Sequence, residues 1–126
     1  MMKRILIVDD DKKIRRIYTT LLDLEGYKVQ EASSADEANE ILKREKIDLT
    51  LLDIKMPEAG GDTMYEVMKT FHRKSKVIVA SVYPLDEQKS IISGADDYFD
   101  KSQGVDILLA KIKKVLANGS KKSHCR

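Results

Sequence analysis

The sequence predicts an α/β domain: a doubly wound, five-stranded parallel sheet with helices on both faces. Three observations carry this reading. Five short strand-like segments, most of them apolar, alternate with five segments whose apolar residues recur at helical spacing, and such alternation calls for parallel strands joined by right-handed crossovers. The run Leu49-Thr50-Leu51-Leu52 shows no inside–outside alternation, as befits a strand buried on both faces. The runs also end in polar residues, notably Asp9, Asp53, Ser81 and Lys101. A charge is costly inside a covered sheet, so these residues belong at the strands' carboxyl ends, the edge where open α/β sheets place their ligands.

The elements follow in order. Ile5 to Val8 reads as the first strand and ends in Asp9-Asp10-Asp11. Ile14, Ile17, Tyr18, Leu21 and Leu22 give the first helix one buried face, Asp11 suits its N-terminus, and Gly26 ends it. Lys28 to Glu31 is a weak second strand. Ser34 to Glu37 has the Ser-x-x-Glu form of a capping box, and the second helix buries Ala38, Ile41 and Leu42. The third strand is Leu49 to Leu52, with Asp53 at its end. Pro57 and Gly60-Gly61 mark a loop. Asp62 is a predicted cap for the third helix, whose stripe is Met64, Val67, Met68 and Phe71.

Val77 to Ala80 is the fourth strand, followed by Ser81. Pro84 opens a fourth helix that closes near Gly94, with a thin apolar face of Leu85, Ile91 and Ile92. Tyr98 and Phe99 lie on the fifth strand, before Lys101. The fifth helix carries Val105, Leu108, Leu109, Ile112, Val115 and Leu116. Asn118-Gly119 is its predicted end. The boundaries are therefore one domain over 1–118 and a basic tail, or the start of a linker, over 119–126.

The totals narrow the function classes. The 126 residues, 42% of them apolar, suit one domain with a single core. A net charge of +2 gives no reason to expect direct nucleic-acid binding. The single cysteine, Cys125, forms no internal disulfide. The apolar N-terminal run is stopped at Asp9, which argues against a targeting signal. No run is long enough to span a membrane, and the expected location is cytoplasmic.

At the carboxyl edge the first strand delivers Asp9 and Asp10, the third Asp53, the fourth Ser81 and the fifth Lys101. Carboxylates brought together repel one another, and a hard divalent cation such as magnesium removes the conflict. A carboxylate also serves as nucleophile toward a phosphoryl group. A lysine and a hydroxyl beside it hold phosphoryl oxygens by charge and hydrogen bond.

On these residues the sequence resembles the receiver domains of two-component response regulators, from about Lys3 to Leu116. The family's acid pair falls on Asp9 and Asp10 in Ile-Val-Asp-Asp-Asp, and its phosphoacceptor on Asp53 in Leu-Leu-Asp-Ile-Lys-Met-Pro. Its hydroxyl falls on Ser81, its lysine on Lys101 and its switching aromatic on Tyr98. The resemblance implies the flavodoxin-like (βα)5 fold with strand order 2-1-3-4-5. It implies Mg2+ held by Asp10, Asp53 and the backbone carbonyl of Lys55, with Asp9 acting mainly through water. The implied donor is a histidine kinase or phosphotransfer protein. The implied output is an attached domain, a protein target, or a homodimer through helix 4, strand 5 and helix 5.

Four positions depart from the family pattern. Ser102 stands where proline usually follows the lysine, which puts the family's cis peptide in doubt. Val82 replaces a small residue after the hydroxyl, Gly60 replaces a frequent aspartate, and Gln103 replaces a large apolar residue. Three competing readings follow. A degenerate receiver would keep the fold without taking phosphate. A magnesium phosphohydrolase with an aspartyl nucleophile would need a general acid two residues on, where Lys55 stands. A flavin or nucleotide module would need a phosphate loop where Asp9-Asp10-Asp11 stand. The expectation is a signalling switch rather than an enzyme.

Overall fold

The computed structural model describes residues 2–55 and 61–124. The order is β1 (Arg4–Val8), α1 (Lys12–Leu24), β2 (Lys28–Ala32), α2 (Ala35–Arg44), β3 (Leu49–Leu52), α3 (Gly61–Phe71), β4 (Lys76–Ser81), α4 (Leu85–Ile91), β5 (Asp97–Asp100) and α5 (Val105–His124). The strands form one parallel sheet in the order β2-β1-β3-β4-β5. Fold class and strand order are thus those expected. Among the described residues no helix is long and apolar enough to cross a membrane.

The strands separate two cores by simple alternation. Leu6, Val8, Leu52, Val77 and Val79 point to one face and pack with Ala38, Ile41, Met64, Met68 and Ile92. Ile5, Ile7, Leu49, Leu51, Ile78 and Phe99 point to the other and pack with Tyr18, Leu22, Leu108 and Ile112. Burial on both sides explains why β1, β3 and β4 read as unbroken apolar runs.

Local signals set most boundaries. Asp11 caps α1 by accepting from the N–H groups of Lys13 and Ile14. Helix α1 ends as Gly26 N–H donates to Asp23 O and Tyr27 N–H to Leu22 O, with Gly26 at φ 93°. Nothing lies within 4 Å of a Cβ built on Gly26, so only the backbone resists a side chain there. Gly26→Ala is expected to cost about 1–2 kcal/mol, read as a lower urea midpoint at unchanged slope. Ser34 caps α2 as expected, while the Glu37 carboxylate reaches back to Ser33 rather than to Ser34 itself.

Several expectations need correction. Asp62 does not cap α3; it lies within the first turn, accepting from Thr63 N–H. Ile17 and Phe71 fit their helical stripes, but both are exposed, Phe71 at 74%. Phe71 is the last residue of α3, and Tyr65 takes part in the α3 core instead. Ile91 and Val105 are also exposed, whereas Gln88 is fully buried on α4. Helix α5 does not stop at Asn118-Gly119 but runs to His124. One internal glycine costs a helix only about 1 kcal/mol, and no proline follows to break it. Pro57, Gly60 and Cys125 lie outside the described residues.

Candidate functional site

The parallel register brings the chemistry to one edge. Val8 and Leu52 are paired neighbours, so the residues that follow them, Asp9 and Asp53, emerge side by side. The backbone fixes both: Asp9 N–H donates to Ala32 O at 3.1 Å and Asp53 N–H to Val8 O at 3.0 Å. Ser81 pairs with Asp100, and Lys101 N–H donates to Ser81 O at 2.9 Å, which delivers the lysine next to the serine.

Asp9, Asp10 and Asp53 each present a carboxylate oxygen within 4.8 Å of the others. Asp9 and Asp53 are buried and Asp10 is exposed. The Lys101 ammonium reaches back over them, 2.5 Å from Asp9 Oδ2 and 3.4 Å from Asp53 Oδ2. The remaining oxygens are turned inward by the chain: Asp9 Oδ1 accepts from Asp11 N–H and Asp53 Oδ1 from Lys55 N–H. An open cleft of about 890 Å³ lies above, lined by the three acids with Lys55, Val82, Lys101 and Ser102.

Burial dominates the electrostatics. It pushes the Asp53 carboxyl up to about 6, with Lys101 opposing and Asp9 adding to the rise. The same burial pulls Lys101 down, but its hydrogen bond to Asp9 and the two negative charges outweigh it, so the ammonium is held above its usual range. The two shifts agree once the distances are compared: the ammonium sits on Asp9, and Asp53 receives the weaker share.

The other expected residues are close but differently disposed. Ser81 is fully buried and does not line the cleft; its Oγ accepts from Tyr83 N–H at 3.3 Å. Val82 lines the cleft and is 62% exposed. Tyr98 points inward, its hydroxyl donating to Ile92 O at 2.7 Å and accepting from Ala95 N–H at 3.1 Å. Every peptide bond described is trans, Lys101–Ser102 included. Ser102 folds back on Asp100, both its N–H and its hydroxyl donating to that carboxylate.

Two contributors escaped the sequence reading. Arg15 ties the acid turn down, donating from Nη1 to Asp9 O at 2.7 Å and pairing through Nε with Glu31. Gln88 donates from Nε2 to Tyr83 O at 2.7 Å and Phe99 O at 3.0 Å, with Ser81 O at 3.4 Å. A signal for Gln88 existed: it falls three residues after Leu85 and four before Ile92, inside the buried stripe.

All donors that converge on the cleft floor are hard oxygens, the set that magnesium prefers. Asp9, Asp10 and Asp53 are the residues that could hold such an ion. A doubly wound sheet with three acids and a lysine at its carboxyl edge defines an α/β domain with an acidic site at its strand ends. The chain belongs to the response regulator receiver domain family, whose model matches residues 5–113. It is 35% identical over 116 residues to the transcriptional regulatory protein CpxR of Klebsiella pneumoniae, covering 91% of this chain and 50% of that protein. It is 36% identical over 125 residues to the probable transcriptional regulator ycf27 of Porphyridium aerugineum, covering 96% and 51%.

The chain therefore spans about half the length of the curated relatives it matches. Among solved structures it is similar to a CheY-like receiver domain protein of Methanospirillum hungatei (TM-score 0.89, 35% identity, 97% of this chain and 99% of that one). It is also similar to the response regulator TrrA of Thermotoga maritima, solved with Mg2+ and BeF (TM-score 0.83, 33% identity, 90% and 99%).

Proposed function

We propose that this receiver accepts a phosphoryl group on Asp53 in the presence of Mg2+ and passes the event to its α4–β5–α5 face. The observation that carries the reading is the cluster of Asp9, Asp10 and Asp53 within 4.8 Å, with the Lys101 ammonium poised over it. Asp53 Oδ attacks the phosphorus of a phosphohistidine or small phosphoryl donor. The donor's bond to phosphorus breaks as the acyl phosphate forms. Magnesium, when bound, neutralises the charge that gathers on the phosphoryl oxygens. Lys101 supplies a second positive charge from the protein. Ser81 is buried off the cleft, so its Oγ must swing from beside Tyr83 N–H to donate to a phosphoryl oxygen, and Ser81 with the loop after it forms the moving part. Tyr98, anchored to the α4–β5 connection, is the aromatic that transmits the movement.

The partners follow from this chemistry: a histidine kinase or phosphotransfer protein as donor, and an output domain, protein target or second copy as receiver of the signal. The relatives named as transcriptional regulators are about twice as long as this chain, which supports an attached output domain. The test is intact mass after incubation with magnesium and acetyl phosphate. One phosphoryl group is expected on the wild type and none on Asp53→Asn. Its absence from a folded wild type, with a histidine kinase as well as acetyl phosphate, would establish a degenerate receiver. A gain in both proteins would mean a different nucleophile.

The exposed Val82 at the cleft yields a further expectation. Its exposed side chain lines the same cleft as Asp53, the open side from which water would reach an acyl phosphate. Val82→Ala is expected to speed hydrolysis by roughly threefold to tenfold, about 1 kcal/mol of barrier. A decay rate no faster than wild type would refute a screening role for Val82.

A further inference from the structure

The buried amide of Gln88 shows an imbalance that the proposed chemistry would resolve. Gln88 is completely buried. Its Nε2 is shared among the carbonyls of Tyr83, Phe99 and Ser81, which fixes which end of the amide is nitrogen. Its Oε1 is buried without a hydrogen-bond partner among the described residues. A buried acceptor left unpaired is unfavourable, so the resting arrangement is held below its full stability at this point.

Beside it lies the hydrogen bond that holds Ser81 Oγ in the resting arrangement. Tyr83 N–H donates to Ser81 Oγ across a long 3.3 Å. Ser81 does not line the cleft, so its Oγ must swing outward to reach a phosphoryl oxygen, and that displacement takes the acceptor from the Tyr83 N–H. The amide already bound to Tyr83 O at 2.7 Å carries the free acceptor. We propose that Gln88 is a positioning residue for this rearrangement: its Oε1 takes over the Tyr83 N–H that Ser81 releases. Gln88 Oε1 is unpaired in the resting state and paired in the switched state. The inference rests on the phosphoacceptor reading and extends it by naming the residue that makes the serine's movement inexpensive.

The residue type fits the task. Glutamate would put a charge against three carbonyl oxygens in a fully buried place. Methionine matches the length but has no N–H for those carbonyls, leaving Ser81 O with Lys101 N–H alone, and offers the Tyr83 N–H nothing. A histidine or lysine would have donors only, or a tautomer that cannot serve both sides.

The experiment uses the full chain, labelled with nitrogen-15, with magnesium and beryllofluoride as the phosphoryl mimic. Hydrogen exchange at the Tyr83 amide is compared in wild type and Gln88→Met. Both are expected to bind the mimic, seen as a bound fluorine resonance absent from Asp53→Asn. In the bound state the Tyr83 amide is expected to exchange at least about tenfold faster in Gln88→Met than in wild type. That ratio corresponds to about 1.4 kcal/mol of lost pairing. Equal Tyr83 rates in the two bound proteins would overturn the inference and leave the phosphoacceptor reading intact. No bound fluorine resonance in wild type would overturn both.

Should Gln88→Met not fold, Ser81→Ala serves instead, because it releases the Tyr83 N–H without any mimic. Tyr83 is then expected to stay protected within about threefold of wild type, since Gln88 Oε1 accepts it. Exchange at the rate of an open chain would overturn the proposal.

Discussion

Replacing Lys101 by methionine is expected to destabilise the metal-free protein by about 3–5 kcal/mol, with much of that loss recovered in saturating magnesium. Removing one partner of a buried ion pair strands the other charge, and losses of about this size follow. Here two carboxylates are stranded, because the same ammonium serves Asp9 at 2.5 Å and Asp53 at 3.4 Å. Both acids are buried and so have little water to fall back on. The lysine and a divalent cation satisfy the same oxygens, so they partly substitute for one another. Urea unfolding of wild type and Lys101→Met, with and without magnesium, measures the four stabilities. A large loss without metal and a small one with it is the expected pattern. An equal loss in both conditions would mean that Lys101 acts through packing of its stem rather than through the acids.

The acids and the lysine were legible in the sequence for one physical reason: a charge cannot sit inside a sheet covered on both faces. Asp9, Asp53 and Lys101 each follow an apolar run, and topology alone carries all three to one edge. Capping chemistry was equally legible at Asp11, Gly26 and Ser34, because each satisfies backbone groups within a few residues of itself.

What the sequence hid depends on contacts between distant elements. Ile17 and Phe71 satisfy the helical period yet face solvent, 51% and 74% exposed. Gln88 satisfies the same period but is polar, and its burial rests on carbonyls from β4, β5 and the loop between β4 and α4. Ser81 could be placed on the edge from sequence, but the direction of its hydroxyl depends on the fold of the next two residues. The end of α5 was misplaced because an Asn-Gly pair is a stop signal only when the chain also turns there.

The burial of Asp53 makes it a burden on the fold without metal, and this gives the second large effect. Asp53→Asn is expected to unfold at a higher temperature than wild type in the absence of divalent cations. The sign follows from linkage. The folded-state value is raised from the usual 3.8 to about 6, with desolvation the largest cause. The native protein therefore holds this proton more tightly than the unfolded chain does. Stability from this group rises as the pH falls from 6 toward 4, and its penalty is complete above pH 6.

A shift of about two units corresponds to roughly 3 kcal/mol, on the order of 10 °C in Tm for a domain of this size. Asparagine carries no charge to desolvate at any pH. The mutant's advantage should therefore be greatest near pH 7 and vanish below about pH 4, where wild-type Asp53 is protonated in both states. Magnesium should stabilise wild type more than the mutant at pH 7, because it pairs the charge that only the wild type has. Thermal unfolding from pH 4 to pH 8, with and without magnesium, measures both trends. A mutant less stable than wild type at pH 7 without metal would show that Lys101, not desolvation, governs Asp53.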